Sequence, residues 1–134
     1  MQWLEKTPER GDMIRVKMAF YHHYGIFVSP ERVIQFGLPE DVTRPAEEVR
    51  VLVTDVYRFL NGGSIEVGCP DRLERRQMRS ADEIVAAAES RIGEDGYNIL
   101  ENNCEHFVNE CAFGQKTSSM VEDVRAMFRR KLGK

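Results

Sequence analysis

Asn102-Asn103-Cys104-Glu105-His106-Phe107-Val108-Asn109-Glu110 is the stretch that decides the fold, because turn residues lead there directly into a helical pattern. The short side-chain amides of Asn102 and Asn103 suit a helix cap, since they accept hydrogen bonds from the free N–H groups of a first turn. Gly114 is expected to end the helix. Small or apolar residues recur between these limits at the spacing of a helix buried along one face, namely Cys104, Phe107, Val108, Cys111 and Ala112.

Cys104 falls in the first turn of this predicted helix. Unpaired backbone donors and the positive end of the helix dipole favour a thiolate at such a position, and a thiolate is the nucleophilic form of cysteine. The alternative is that Cys104 is simply a small buried apolar residue. A base elsewhere in the chain is needed to decide between the two.

The composition describes one soluble globular domain over residues 1–134, because 42% of the residues are hydrophobic and 31% are charged. A net charge of −3 gives no reason to expect a nucleic-acid partner. Cys69, Cys104 and Cys111 cannot all pair within one chain, and they lack the C-x-x-C spacing of zinc sites. We therefore expect reduced thiols, no metal and a cytoplasmic protein without a signal peptide.

Five segments alternate or are rich in β-branched and aromatic residues, which predicts an antiparallel sheet packed against helices, an α+β fold. The predicted strands are 13–20, 21–28, 32–36, 49–53 and 64–67. A helical turn is predicted over 55–60 and a helix from the capping box at Ser80 to about Ile92. The segments 39–48 and 68–79 are expected to be loops. The basic run in the second loop is either a solvated face or a contact for anionic headgroups.

A last helix is predicted over about 119–132, with an apolar face and several basic residues around it. Such a helix either packs on its own domain or makes peripheral contact with a membrane surface. The sequence leaves both readings open.

The base must come from His22 or His23, because His106 follows Cys104 by two residues and points about 200° away from it on a helix. His106 is therefore expected to be a structural hydrogen-bonding residue. Adjacent residues on a strand face opposite sides, so only one of the other two can face the predicted helix. If a three-residue loop makes Val28 oppose Arg32, then Gly25 opposes Gln35 and His23 lies diagonally from that amide. A four-residue loop would reverse the choice.

Asn103-Cys104-Glu105-His106-Phe107-Val108 resembles the N-C-E-H-F block of the lecithin:retinol acyltransferase-like family, which includes small phospholipase A/acyltransferases. Gly11-Asp12-Met13-Ile14 and the segment 22–28 are similar to that family's opening strand and histidine strand. The resemblance covers about residues 11–114. It implies a permuted papain-like, NlpC-type core with the nucleophilic cysteine at a helix N-terminus.

Carried over by position, the resemblance makes Cys104 the nucleophile and His23 the general base. Gln35 becomes the orienting third residue, where the family often has a second histidine. The implied chemistry is acyl transfer or hydrolysis through a Cys-linked thioester, with no cofactor and with a lipid or another acyl-bearing small molecule as substrate. The oxyanion or substrate contacts would come from the Cys104 backbone N–H, Asn103, and Tyr21 or Tyr24.

Two other functions remain open. One is a thiol amidase or peptidase, which a polar cleft beside Cys104 would favour over an apolar channel. The other is a non-catalytic binding domain of the same fold, which would be favoured by a cysteine with no imidazole in reach.

Overall fold

The structure is a computed structural model, and it describes residues 1–38, 44–98 and 103–114. Six antiparallel strands form one sheet in the order β1-β6-β2-β3-β4-β5. The strands are β1 Gln2–Leu4, β2 Met13–Lys17, β3 His22–Ser29, β4 Arg32–Phe36, β5 Val51–Thr54 and β6 Ile65–Cys69. The predicted last helix and Asn102 lie outside the described residues.

Within the described residues four α-helices accompany the sheet, so the predicted α+β fold class is confirmed. They are α1 Val56–Leu60, α2 Arg72–Gln77, α3 Ala81–Ser90 and α4 Cys104–Phe113, and a 3-10 turn covers Ala46–Glu48. Among the described residues no helix has both the length and the apolar character needed to cross a membrane.

Some predicted elements were wrong. The segment 68–79, expected to be a loop, contains the end of β6 and all of α2, which starts from a capping box between Asp71 and Glu74. None of the α2 residues is buried, so no apolar stripe marks this helix in the sequence. The helix from Ser80 ends at Ser90, and Ile92 is 40% exposed where burial was expected.

The β3–β4 hairpin has the predicted pairing of Gly25 with Gln35, but it reaches that pairing differently. Ser29 opposes Arg32 across a two-residue turn, and the register then shifts between Phe27 and Ser29. This bulge adds one residue on β3 and so restores the register that a three-residue loop would have given.

The two faces of the sheet have separate apolar cores. In the part of the chain that the structure describes, the α4 face is covered by α3 and α4, and the α1 face is covered by the short helix α1. Alternation along each strand sends neighbouring side chains into different cores. On the α4 face the core includes Met13, Tyr24, Ile26, Ile34, Phe36, Ile84, Cys104, Phe107 and Val108. On the α1 face it consists of Ile14, Val16, Phe27, Val33, Phe59 and Val67.

Candidate active site

Cys104 is the first residue of α4, and Asn103 is the N-cap, as predicted for one of the two asparagines. The Asn103 Oδ1 accepts from the backbone N–H of Glu105 at 2.9 Å and of His106 at 3.0 Å. In return, the Asn103 backbone N–H donates to Nδ1 of His106 at 3.0 Å. The expectation that His106 is a structural hydrogen-bonding residue is confirmed. This reciprocal cap fixes the start of the helix, and with it the position of the thiol.

The Cys104 sulfur lies beside β3, close to the point where β3 stops pairing with β4. Phe27 forms two backbone hydrogen bonds with the segment just before β2. Its N–H donates to the Asp12 carbonyl at 2.9 Å, and its carbonyl accepts from the Gly11 N–H at 2.8 Å. Alternation therefore turns the N–H groups of Ile26 and Tyr24 toward β4. The β3–β4 pairing ends at Gly25 and Gln35, and beyond it the Tyr24 N–H donates toward the Cys104 sulfur.

Burial raises the pKa of the Cys104 thiol to about 11, although backbone N–H groups of Tyr24, Cys104 and Glu105 act to lower it. The Glu105 carboxylate adds a further increase. The expectation of a thiolate favoured at neutral pH by the helix start is therefore wrong. A helix terminus contributes about 0.3–1 kcal/mol, which lowers a pKa by less than one, whereas full burial can raise it by about 3–5. The resting residue is a neutral thiol.

His23 and Gln35 form a buried hydrogen-bonded pair, with 3% and 0% of their surfaces exposed. The imidazole Nε2 lies 2.6 Å from the Gln35 Oε1. Because a carbonyl oxygen only accepts, Nε2 carries a hydrogen and donates it to Gln35. Within the described part of the chain, the Gln35 Nε2 is buried and has no hydrogen-bond partner. Gln35 therefore holds the ring in one tautomer through a single bond.

The ring of Phe59 packs against His23 and limits its movement. The two ring centroids are 5.2 Å apart, and Phe59 is fully buried. Phe59 reaches the sheet because residue 25 is glycine: a Cβ there would lie 2.8 Å from a Phe59 ring carbon and 3.0 Å from Val33. The sequence did not identify Phe59, since its contact with β3 joins residues far apart in the chain.

The faces of the two neighbouring histidines are the reverse of the prediction. His23 was expected to face the cysteine helix, but it lies on the α1 face against Phe59. His22 lies on the α4 face with Tyr24, at a centroid distance of 6.3 Å, and its Nε2 is 3.9 Å from Glu66. Burial lowers the pKa of His22, with help from Arg15, while Glu66 and Glu105 oppose the shift. The prediction failed because it assumed that the base shares the face on which the cysteine helix packs, whereas His23 pairs with Gln35 and contacts Phe59 on the other face.

The remaining candidate residues for substrate or oxyanion contacts are Tyr24, Tyr21 and Asn103. Tyr24 shares the α4-face core with Cys104, and its backbone N–H contacts the sulfur. Tyr21 is half-buried in the bend before β3, where its carbonyl accepts from Met18 at 2.7 Å. The Asn103 Oδ1 is engaged by the cap. Substrate contacts by Tyr21, Tyr24 and Asn103 remain predictions.

A separate pocket of about 190 Å³ lies beside α1 and is lined by Leu38, Tyr57, Arg58, Asn61 and Gly62. None of the candidate catalytic residues lines it. The pocket therefore does not identify the substrate.

A family model described as lecithin retinol acyltransferase matches residues 6–117, an interval that includes Cys104, His23 and Gln35. The chain belongs to the lecithin retinol acyltransferase family. It is 29% identical over 133 residues to lecithin retinol acyltransferase of Mus musculus, covering 84% of this chain and 58% of that protein. The Homo sapiens protein of that name is 30% identical over 129 residues, covering 81% and 56%.

Phospholipase A and acyltransferase 3 of Homo sapiens is 29% identical over 126 residues, which covers 87% of this chain and 78% of that protein. The chain thus spans just over half the length of the lecithin retinol acyltransferases it matches. The matched interval contains the segment from Asn103 to Phe107 and the strand that carries His23, but the activity of this chain has to be argued from its own site.

Proposed function

We propose that this protein transfers or hydrolyses the acyl group of a lipid ester through a thioester on Cys104. The observation that carries the proposal is the environment of the sulfur. It lies at the capped start of α4, beside the peptide that joins His23 to Tyr24, with three backbone N–H groups turned toward it. The names of the relatives, which refer to lecithin, retinol and phospholipase A activity, support a lipid ester as substrate.

His23 is the general base in this proposal. Its Nε2–H is committed to Gln35, so the ring presents an unprotonated Nδ1 that can take a proton. The Cys104 sulfur accepts from the backbone N–H of Tyr24, the residue that directly follows His23 in the chain. A neutral thiol with a raised pKa requires such a base at the moment of attack.

The reaction then has two balanced halves. Nδ1 of His23 takes the thiol proton as the sulfur bonds to the ester carbonyl carbon, which gives a tetrahedral oxyanion. The oxyanion collapses, the C–O bond to the leaving alcohol breaks, and that oxygen takes the proton from His23. Water or an acceptor alcohol or amine then attacks the thioester with the same base, and Cys104 leaves as a thiol. The backbone N–H groups around the sulfur stabilise the oxyanion in both halves.

The experiment that tests this function is intact-mass and peptide-mass analysis after incubation with phosphatidylcholine vesicles, a soluble aryl ester and a matched aryl amide. We expect one acyl group added to the peptide containing Cys104. Cys104→Ala should prevent the adduct. Cys111→Ala is the matched control, because that cysteine is on the same helix and buried, and the adduct should persist.

Two results would contradict the proposal. An adduct that forms faster from the amide than from either ester would make the protein an amidase. Vesicle or ester binding without any adduct would make it a binding domain of this fold.

A further inference from the structure

Two aromatic side chains are almost fully exposed to solvent in the structure. Phe20, in the turn between β2 and β3, is 97% exposed, and Tyr57, on α1, is 87% exposed. Among the large apolar side chains of the described residues, these two are the most exposed. A single exposed aromatic ring is common on a protein surface, whereas two that lie at one end of the molecule indicate a surface that another body covers.

The segments that carry the two rings are neighbours in the fold. Phe20 lies in the turn 18–21, between the paired ends of β2 and β3. Ile65 at the start of β6 opposes Val16, which places the turn between α1 and β6 beside the end of β2. A Cβ on Gly63 in that turn would lie 2.6 Å from the Val16 side chain. The end of α1 and the β2–β3 turn therefore share one end of the sheet.

This end of the sheet is also the end that holds the proposed base. Phe20 precedes His23 by three residues, and Tyr57 precedes Phe59, whose ring packs on the His23 imidazole, by two. Tyr57 also lines the pocket of about 190 Å³ together with Leu38, which follows β4. A body that covers both exposed rings would therefore lie next to the proposed site.

The charges beside the two rings are positive. Lys17 and Arg58 are exposed, and no acidic residue occurs in the segments 16–22 and 57–64. Among the described residues, neither of these cations forms an ion pair. Aromatic rings favour the boundary between the headgroups and the acyl chains of a bilayer, and Lys and Arg favour lipid phosphates. The combination fits a phospholipid surface.

We propose that Phe20, Tyr57, Lys17 and Arg58 form a docking surface through which the protein contacts a phospholipid bilayer. The two rings enter the boundary between headgroups and acyl chains, and the two cations contact lipid phosphates. The inference rests on the proposed lipid-ester function and names the surface through which the ester is reached. It places the contact at the opposite end of β6 from the basic helix α2.

Vesicle co-sedimentation and single-turnover acylation test this surface, with phosphatidylcholine vesicles and with a soluble aryl ester. We expect Phe20→Ser to weaken vesicle binding by about tenfold and Tyr57→Ser by about fivefold, because each variant lacks a ring that leaves water on binding. The vesicle concentration for half-maximal acylation of Cys104 should rise by the same factors. With the soluble ester both variants should acylate at the wild-type rate, since neither ring takes part in the chemistry.

The double variant Lys17→Gln, Arg58→Gln tests the two cations. On vesicles that contain phosphatidylglycerol, its binding should be weaker than that of the wild type by about tenfold, because each basic residue near an anionic surface adds to the attraction. The difference should be smaller on pure phosphatidylcholine, and added salt should reduce it.

Leu73→Ser is the matched control. Leu73 on α2 is 69% exposed and lies among Arg72, Arg75 and Arg76, so it combines an exposed apolar side chain with positive charge at the other end of β6. We expect this variant to bind vesicles and to acylate with both substrates as the wild type does.

Wild-type vesicle binding in both Phe20→Ser and Tyr57→Ser would overturn the proposal and leave the rings as a surface for a protein partner. A loss in Leu73→Ser with none in Phe20→Ser would move the membrane contact to α2. Equal losses with vesicles and with the soluble ester would show that the rings act inside the site. If the wild type forms no adduct on Cys104 from either substrate while Phe20→Ser still weakens vesicle binding, the proposed function fails and the docking surface stands.

Discussion

The two faces of the sheet supply different halves of the proposed site. On the α4 face, two ten-residue helices bury Cys104, Cys111 and Tyr24, and the pKa of each of these groups is raised. On the α1 face, a five-residue helix covers His23 and Gln35 with Phe59. The first face keeps weak acids neutral, and the second fixes an imidazole in one tautomer.

This difference shows how an antiparallel sheet can combine the proposed nucleophile Cys104 with the proposed base His23, although the two belong to opposite faces. Residues on different faces are separated by the backbone wherever the strands are paired. Beyond the last β3–β4 pair, Gly25 with Gln35, the backbone N–H of Tyr24 contacts the Cys104 sulfur. The point at which the pairing between β3 and β4 ends is therefore as much a part of the proposed site as the residues themselves.

The contrast between the two faces is tested most directly by replacing each of the two histidines with asparagine in turn. If the base comes from the α1 face, His23→Asn should lower the acylation rate by about 10²- to 10⁴-fold, the usual contribution of a general base. His22→Asn should change it little, because His22 is half-exposed and lies 3.9 Å from Glu66. The measurement is single-turnover thioester formation, with thermal unfolding as a check on folding.

The opposite pattern would move the base to the α4 face. A large loss in His22→Asn with near wild-type activity in His23→Asn would mean that the imidazole beside Glu66 serves Cys104. The His23–Gln35 pair would then be a buried structural pair.

The parts of the site that depend on local chain chemistry were predictable from the sequence. The bounds of α4 follow from the Asn103 cap, the apolar spacing and Gly114, whose φ of 74° lies in the left-handed region. The pairing of Gly25 with Gln35 followed from hairpin geometry, and the hydrogen bond between His23 and Gln35 is consistent with it. The cap, the α4 stripe and the hairpin involve contacts over at most about a dozen residues.

The rest depends on long-range packing that no local pattern encodes. β1 has only three residues and pairs with β6, more than sixty residues later, so its sequence has too few positions to show alternation. The raised pKa of Cys104 results from its neighbours in three dimensions, and the helix start alone suggested the opposite shift. The choice of face for His23 failed because it assumed that the base shares a face with the cysteine helix, and the sequence of β3 does not determine on which face that helix packs.

Alkaline pH should destabilise the folded protein through the buried thiols of the α4 face. The thiols of Cys104 and Cys111 have pKa values of about 11 and about 12 in the folded protein, raised from an ordinary 9.0. Above pH 9 the unfolded chain loses these protons first, so the free energy of unfolding falls as pH rises toward 11 and beyond. A pKa difference of one between the folded and unfolded chain corresponds to about 1.4 kcal/mol, so Cys104→Ser should remove on the order of 2–3 kcal/mol of this loss.

Urea denaturation of the wild type, Cys104→Ser and Cys69→Ser across this pH range provides the measurement. Cys69 is a half-buried cysteine outside the α4 face, so Cys69→Ser serves as the control for replacing a thiol with a hydroxyl. Equal pH dependence in all three proteins would show that the Cys104 thiol is not a buried acid, which removes half of the contrast between the faces.

Gln35 tests the α1 face, where an amide is the hydrogen-bond partner of His23. If Gln35 only orients His23, Gln35→Ala should leave the fold intact and slow acylation by about 10- to 100-fold, or about 1.4–2.8 kcal/mol. Gln35→His should retain activity, since an imidazole can accept the same hydrogen bond from Nε2. Single-turnover thioester formation measures all three proteins.

The variant Gln35→Glu distinguishes an orienting role of residue 35 from a packing role. The wild-type amide leaves a buried donor unsatisfied and cannot stabilise an imidazolium, whereas a carboxylate accepts from His23 and lowers the cost of its protonation. We therefore expect Gln35→Glu to acylate at least as fast as the wild type, and Gln35→Ala to be slowest of the series. An order that follows side-chain volume instead would assign Gln35 to packing under α1. Equal rates in all four proteins would mean that the pair on the α1 face does not take part in the reaction, and that the base has to be sought on the face that carries Cys104.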